Sequence, residues 1–172
     1  MENNHNEGMS GFLAIEQKLA VSTRRHRGFP RDQAMLVRMV KLLHKLFSDH
    51  ANLLLRTHDL THPEYNVLMM LDGSEGGLSP SQLGEATSEK SSNTTRLIDQ
   101  LLAKGLLTRS PSDEDRRMLV VQLTDEGEAL IRQVVPAVTL QLQGFFAGIT
   151  DAQRGQLEHL LKKVLRGVES QG

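Results

Sequence analysis

Residues 78–123 constrain the fold of this chain more than any other segment, because they predict two short helices followed by a β-hairpin. Ser79 directly precedes Pro80, and this pair is typical of a helix start: a serine hydroxyl can cap the first turn, and proline is tolerated at the first helical position. A second helix is predicted from about Lys90 to Lys104, where Gly105 can end it. Two short helices joined by a turn are therefore followed directly by extended chain.

The extended part has the pattern of a hairpin with a charged tip. In "RSPSDEDRRMLVVQLT" the residues Leu119, Val121 and Leu123 alternate with residues of the opposite face, which is the period of a half-buried strand. A shorter strand is predicted near residues 106–109, and the polar residues between the two strands form the tip. The order of helix, turn, helix and hairpin is that of a winged helix-turn-helix.

Long helices flank this region on both sides. Residues 33–58 contain neither glycine nor proline, and at about 1.5 Å per residue a helix of this length would extend about 39 Å. Its apolar residues cover more than one narrow stripe, so it needs packing partners on two sides, and the second partner can be another subunit. On the C-terminal side, Thr124 and Thr150 are predicted to cap two further helices, and the last of these has a clear apolar face.

We therefore predict a mainly α-helical chain with a small β-hairpin. Its fold class is a winged helix-turn-helix flanked by N- and C-terminal helices that form a homodimer. The expected segments are a disordered tail over 1–10, N-terminal dimerisation helices over 11–58, the winged helix-turn-helix over 59–123 and C-terminal dimerisation helices over 124–172.

The composition excludes several functional classes. The chain has no cysteine, which excludes disulfides, thiolate metal sites and cysteine redox sensing. No apolar run approaches the roughly 20 residues that span a bilayer, and the N-terminus lacks the pattern of a secretory signal, so we expect a cytoplasmic protein with no membrane partner. No Gly-x-Ser-x-Gly or metal-binding helix motif supports an enzyme, and no cofactor is expected. Because the net charge is −1, binding to nucleic acid would depend on the local arrangement of charge.

The second helix of the predicted pair has two different faces. Projected at about 100° per residue, the segment 90–105 has an apolar face and, opposite it, a face of short hydrogen-bonding groups with one arginine: Ser92, Thr95, Arg96 and Asp99. Such a face is typical of a helix that reads base edges in the major groove, where arginine can pair with guanine O6 and N7. The alternative is an ordinary solvated face, but the capped helix before it and the hairpin after it favour DNA recognition.

The hairpin tip places Arg116 and Arg117 behind the acidic residues Asp113, Glu114 and Asp115. An arginine beside a recognition helix can enter a narrow minor groove, because the negative potential is enhanced there. Asp115 is placed to hold Arg117 by a charge-assisted hydrogen bond and so to preset its direction. The alternative is an ordinary charged turn.

The segment "TTRLIDQLLAKGLLTRSPSDEDRRMLVVQLTDEG" closely resembles the MarR family of winged-helix transcription regulators. Its Thr-Arg-Leu, Lys-Gly-Leu, Asp-Arg-Arg and Leu-Thr-x-x-Gly elements occur in the family's order and spacing. Upstream, "RRHRGFP" followed by the long helix resembles the multidrug-efflux repressors of the family. The resemblance extends over about residues 15–165.

The resemblance implies a homodimer that binds a pseudo-palindromic operator in double-stranded DNA. It assigns DNA contacts to the recognition helix and the wing: Ser91, Ser92, Thr95, Arg96, Asp115, Arg116 and Arg117. It also implies a repressor of an efflux or stress operon that small aromatic or lipophilic effectors release from DNA. The effector pocket would be lined by Phe47, His50, Leu54, Tyr65 and Met69.

Two alternative functions stay open. A regulator of this family can answer another signal, such as a metal or a metabolite, and His44, His50, His58 and His62 occur in one part of the chain, although their spacing guarantees no common face. A winged helix can also serve as a protein–protein module that does not bind DNA. The outward Arg96 and the paired wing arginines argue against that module.

Overall fold

The computed structural model describes residues 4–111 and 118–171, and within these ranges the chain is mainly helical with one small antiparallel sheet. None of the helices in the described ranges is long and apolar enough to cross a membrane. The chain divides into two compact units, Met1–His62 and Pro63–Gly172. The elements in chain order are α1 (Asn4–Arg25), α2 (Arg31–Leu55), a 3-10 turn (Arg56–His58), α3 (His62–Asp72), α4 (Pro80–Thr87), α5 (Ser91–Ala103), β1 (Leu107–Pro111), β2 (Leu119–Leu123), α6 (Asp125–Phe145) and α7 (Asp151–Glu169). The predicted fold class is confirmed.

The first unit pairs α1 with α2. Leu19 of α1 and Met35 of α2 are buried, as are Leu55 at the end of α2 and Leu60 just after the 3-10 turn. Helix α2 ends slightly before the predicted boundary, because the chain tightens into the 3-10 turn and Asp59 then adopts a left-handed conformation with φ 53°. Half of the large apolar side chains along α2 remain exposed, which agrees with the prediction that this helix needs a second packing partner: Leu36, Val37, Met39, Val40, Leu43 and Leu53.

Helix α1 begins earlier than the sequence analysis predicts. Residues 4–10, which that analysis assigns to a disordered tail, belong to α1. Their polar composition suggested disorder, but they contain no proline, and a glycine such as Gly8 lowers helix stability by only about 1 kcal/mol. Extending a helix adds one hydrogen bond per residue, so a helix formed by the following residues can continue through this segment.

The second unit has its own hydrophobic core. Side chains from α3, α4, α5, the hairpin and α6 contribute to it, and each fully buried leucine, isoleucine or valine stabilises the fold by about 1.5–3 kcal/mol. The core therefore fixes the helix pair and the hairpin in one structure. Its fully buried members are Val67, Leu68, Leu83, Leu97, Ile98, Leu101, Val121 and Val134.

The hairpin is anchored at its base by a third segment of chain. Leu107 of β1 lies opposite Leu123 of β2, and Leu78 adds an antiparallel bridge to Val121 through two backbone hydrogen bonds of 2.9 and 3.0 Å. The preceding Gly77 has φ +83°, and a Cβ there would lie 2.4 Å from the Val121 carbonyl oxygen. Only glycine permits this close approach.

Thr124 and Gly127 join the end of the hairpin to α6. The Thr124 hydroxyl accepts a hydrogen bond from the Gly127 N–H at 3.1 Å and donates one to the Gly105 carbonyl at 2.8 Å. A Cβ on Gly127 would lie 2.3 Å from the Leu106 carbonyl oxygen. The Leu-Thr-x-x-Gly motif therefore packs the start of α6 against the chain that leaves α5.

Helix α7 is capped as predicted and is exposed along its whole length in the single chain. Thr150 and Gln153 form the expected capping box. Among the residues of α7, all of which the structure describes, none is buried. Its apolar face, between 43% and 67% exposed, consists of Leu157, Leu160, Leu161, Val164, Leu165 and Val168.

Candidate nucleic-acid interface

Helices α4 and α5 form the helix-turn-helix, and the local sequence explains how they approach each other. Helix α4 begins with the predicted cap: the Ser79 hydroxyl accepts the Gln82 N–H, and the Gln82 side-chain oxygen accepts the Ser79 N–H. At the end of α4, Ser88 reverses the chain with φ 57°. A Cβ on Gly84 would lie 3.1 Å from the Thr94 hydroxyl oxygen, so the two helices pack closely at this point.

Helix α5 has the two faces that the sequence predicts. The core face is at most 1% exposed and consists of Thr94, Leu97, Ile98 and Leu101. The opposite face is exposed and includes Ser92, Thr95 and Arg96; Ser91, another predicted DNA contact, is also exposed and is the first residue of the helix. The predicted division of the helix is confirmed, and contact of these four residues with DNA stays a prediction.

Arg96 is held by amide side chains of its own helix. Its Nε and Nη2 donate to the Asn93 side-chain oxygen at 3.1 and 2.6 Å, and its Nη1 donates to the Gln100 side-chain oxygen at 2.8 Å. Asn93 in turn donates from Nδ2 to a Glu89 carboxylate oxygen at 2.6 Å. These contacts were not predicted from the sequence, although spacings of three and four residues bring side chains together on one face of a helix.

Two ion pairs hold α5 in place. Lys104, which follows the last residue of α5, lies 2.8 Å from the buried carboxylate of Glu64 on α3. Arg109 of β1 lies 3.1 Å from Asp99 on α5. Asp99 was predicted on the outward polar face, but its partner was not predicted, because the two residues belong to different elements. The helix is therefore linked both to α3 and to the base of the hairpin.

The predicted wing residues Asp115, Arg116 and Arg117 lie outside the described residues. The strands on either side of them are described: β1 ends at Pro111, which lies opposite Leu119 at the start of β2. The roles assigned to the wing arginines and to Asp115 therefore remain predictions.

The residues predicted to line an effector pocket lie on two helices. Phe47, His50 and Leu54 belong to α2 in the first unit, whereas Tyr65 and Met69 belong to α3 in the second. All except the exposed His50 are partly buried. Burial raises the pKa of the Tyr65 hydroxyl, and the nearby negative charge of Asp72 raises it further. A pocket composed of all five residues stays a prediction.

His62, the first residue of α3, was considered above as part of a possible metal site. Burial lowers the pKa of His62, and the positive charge of a protonated His44 acts in the same direction. Within residues 4–111 and 118–171, no group of three histidine, aspartate or glutamate side chains is arranged so that it could hold a metal ion.

Comparison with known proteins connects this fold to a family. The model of the MarR family matches residues 58–118, which include both helices of the helix-turn-helix. The transcriptional repressor MprA of Escherichia coli K12 is 30% identical over 157 residues, which cover 91% of this chain and 89% of the relative. The chain belongs to the MarR family.

Solved structures of MarR-family regulators share the fold. Wild-type MarR from E. coli in its apo form is 30% identical, with a TM-score of 0.64, and covers 76% of this chain and 96% of its own. A cysteine-to-serine mutant of that protein, complexed with operator DNA, has a TM-score of 0.69 at 30% identity and covers 76% of this chain and 93% of its own. The PcaV regulator from Streptomyces coelicolor, solved with its natural ligand, is 25% identical with a TM-score of 0.63 and covers 82% of this chain and 94% of its own.

Proposed function

We propose that this protein is a DNA-binding transcription regulator that represses an efflux or stress operon and is released from its operator by small aromatic or lipophilic compounds. The observation that carries the proposal is the exposed face of α5, where Arg96 stands among hydroxyl groups on a helix fixed by the core behind it. Arginine in this setting suits the major groove, where it pairs with guanine. The similarity to a MarR structure that contains operator DNA supports the same function.

The regulator acts as a homodimer in this proposal. The exposed apolar faces of α7 and of α2 each support it, because an exposed apolar face of this size marks an interface. A two-fold dimer would place two recognition helices about 34 Å apart, one turn of DNA, and would bind two related half-sites.

The wing supplies a second DNA contact in this proposal. Arg117 enters a narrow minor groove while Asp115 holds its guanidinium in position. Asp115→Ala should therefore weaken operator binding, because it frees the arginine, although removal of a negative charge near phosphates should by itself strengthen binding. Operator affinity measured by fluorescence anisotropy for this variant and for Arg117→Ala tests the role. Tighter binding of Asp115→Ala would mean that the acidic residues form only a solvated charged turn.

The effector acts on the equilibrium between two forms of the dimer. A ligand that binds more tightly to a dimer with the wrong helix spacing lowers the population that fits the operator. Within the first unit, the partly buried Phe47 and Leu54 of α2 offer apolar and aromatic surface that suits a flat aromatic acid. The similarity to PcaV, which was solved with its natural ligand, supports a small-molecule effector.

A gel-shift experiment with the DNA upstream of the protein's own gene tests the proposal. We expect a specific complex that salicylate-like aromatic acids or hydrophobic uncouplers dissociate. If the complex forms but no compound of a broad panel affects it, the protein is a MarR-type regulator that answers another signal. If no specific complex forms, a winged-helix protein–protein module becomes the better interpretation.

A further inference from the structure

Four polar side chains form a continuous hydrogen-bonded row along one side of α5. The row runs from Glu89, just before the helix, through Asn93 to Arg96 and on to Gln100. Each member is three or four residues from the next, so the row follows one side of the helix. Neither the core packing nor the ion pairs of α5 include these side chains: Arg96 and Gln100 are exposed, and Glu89 and Asn93 are half-buried.

The hydrogen bonds within the row determine which edge of the Arg96 guanidinium stays available. A guanidinium has five N–H donors. The Asn93 oxygen accepts from Nε and Nη2, and the Gln100 oxygen accepts from Nη1. One N–H on each terminal nitrogen is left. A bidentate contact to guanine O6 and N7 requires two donors, which these N–H groups can supply.

The two amide groups that accept hydrogen bonds from Arg96 can fix the direction of its side chain before DNA binds. Asn93 and Gln100 are neutral, so they fix the direction of Arg96 without neutralising the charge that attracts it to DNA. An asparagine amide can also be turned by half a rotation, which would point its NH₂ group at the arginine. Glu89 prevents this, because its carboxylate accepts from the Asn93 NH₂ group and leaves the amide oxygen facing Arg96.

We propose that Asn93 and Gln100 are positioning residues that hold Arg96 with its end-on edge free to read a guanine. Glu89 acts on Arg96 indirectly, because it orients the Asn93 amide. The proposal rests on the proposed DNA-binding function and deepens it: the half-site contains a guanine whose recognition depends on this row. A free arginine loses much of its side-chain freedom when it binds, and the row reduces that loss by ordering the side chain beforehand.

The test is a double-mutant cycle on a DNA duplex that the wild-type protein selects from a random-sequence library. We expect Asn93→Ala to weaken binding about 3- to 10-fold in the wild-type protein and to have no effect in the Arg96→Ala background. Base preference should flatten in both variants at the same guanine, with the other positions unchanged. Gln133→Ala, which removes an exposed amide from α6, is the matched control and should bind like the wild type.

A second pair of variants separates positioning from charge. Glu89→Gln and Glu89→Ala remove the same negative charge, but only glutamine keeps an oxygen that can accept from Asn93. We expect Glu89→Gln to bind at least as tightly as the wild type and Glu89→Ala to bind about threefold more weakly than Glu89→Gln. Equal binding by these two variants would overturn the role of Glu89 and with it the ordered row.

The remaining outcomes of the cycle are also decisive. An equal loss for Asn93→Ala with and without Arg96 would mean that Asn93 acts directly or through helix stability, and no loss in either background would mean that Arg96 needs no positioning. Both results overturn the inference while DNA binding by the wild-type protein still stands. A wild-type protein that selects no sequence would instead overturn the proposed function and this inference together.

Discussion

At the scale of single residues, the pair of Glu64 and Lys104 shows how one contact can position a functional helix. The Glu64 side chain is 4% exposed and that of Lys104 is 27% exposed, and their charged atoms lie 2.8 Å apart. A carboxylate this deeply buried has lost most of its hydration, so a nearby ammonium group stabilises it strongly. The contact links the start of α3 to the end of α5.

Lys104→Met should therefore lower the free energy of unfolding by about 1–3 kcal/mol, because it removes the ammonium group that compensates a buried carboxylate. Lys162→Met is the matched control, since Lys162 pairs with Glu158 on the exposed surface of α7 and should change stability by less than about 1 kcal/mol. Urea unfolding of both variants measures the difference. Equal effects would contradict a special role for the buried pair.

At the scale of secondary-structure elements, glycines set the distances between helices and strands. Gly84 permits the close contact between α4 and α5, Gly77 permits the bridge to β2, and Gly127 lets α6 start against the Leu106 carbonyl. In each case the neighbour is close enough that a Cβ would need the surroundings to move. The wing and the recognition helix are thus held by backbone contacts as well as by the core.

Gly127→Ala should lower the free energy of unfolding by about 1–3 kcal/mol, because the added methyl group would meet a carbonyl oxygen at 2.3 Å. Gly144→Ala, also on α6, has open space around the added Cβ and should stabilise the protein by up to about 1 kcal/mol. Thermal unfolding of the two variants should shift in opposite directions. A shift of Gly127→Ala to higher temperature would contradict the close approach.

Local sequence patterns predicted the structural features that depend only on residues close together in the chain. The caps formed by Ser79, Thr124 and Thr150 were predicted because each depends on residues at most three positions away. The core face of α5 was predicted because helical period alone decides it. The start of α1 was not, since the polar composition of residues 4–10 suggested disorder, and no local pattern indicates that Glu64 contacts Lys104.

At the scale of the whole molecule, the single chain leaves a large apolar surface uncovered. The six apolar residues of the α7 face are exposed, together with half of the large apolar side chains of α2. Burying each such side chain would contribute about 1.5–3 kcal/mol, which favours association of two chains over exposure to water. The net charge of −1 offers little long-range repulsion against that association.

Light scattering at micromolar concentration should give a mass twice that of the 19.2 kDa chain. Leu161→Lys, in the middle of the apolar face of α7, should shift the protein towards monomer or unfold it, because it would bury a charge in the interface. Lys163→Ala, on the same helix but outside the apolar face defined above, should remain a dimer. A stable folded wild-type monomer would contradict this assembly.

The central claim is that the outward face of α5 reads DNA sequence through Arg96, and competition binding tests it most directly. The measurement compares wild type and Arg96→Ala on the selected duplex and on a scrambled duplex of the same composition and length. We predict that the variant loses about 1–3 kcal/mol of binding free energy on the selected duplex and much less on the scrambled one, because phosphate attraction is common to both. An equal loss on the two duplexes, or a wild-type protein that does not distinguish them, would contradict the claim.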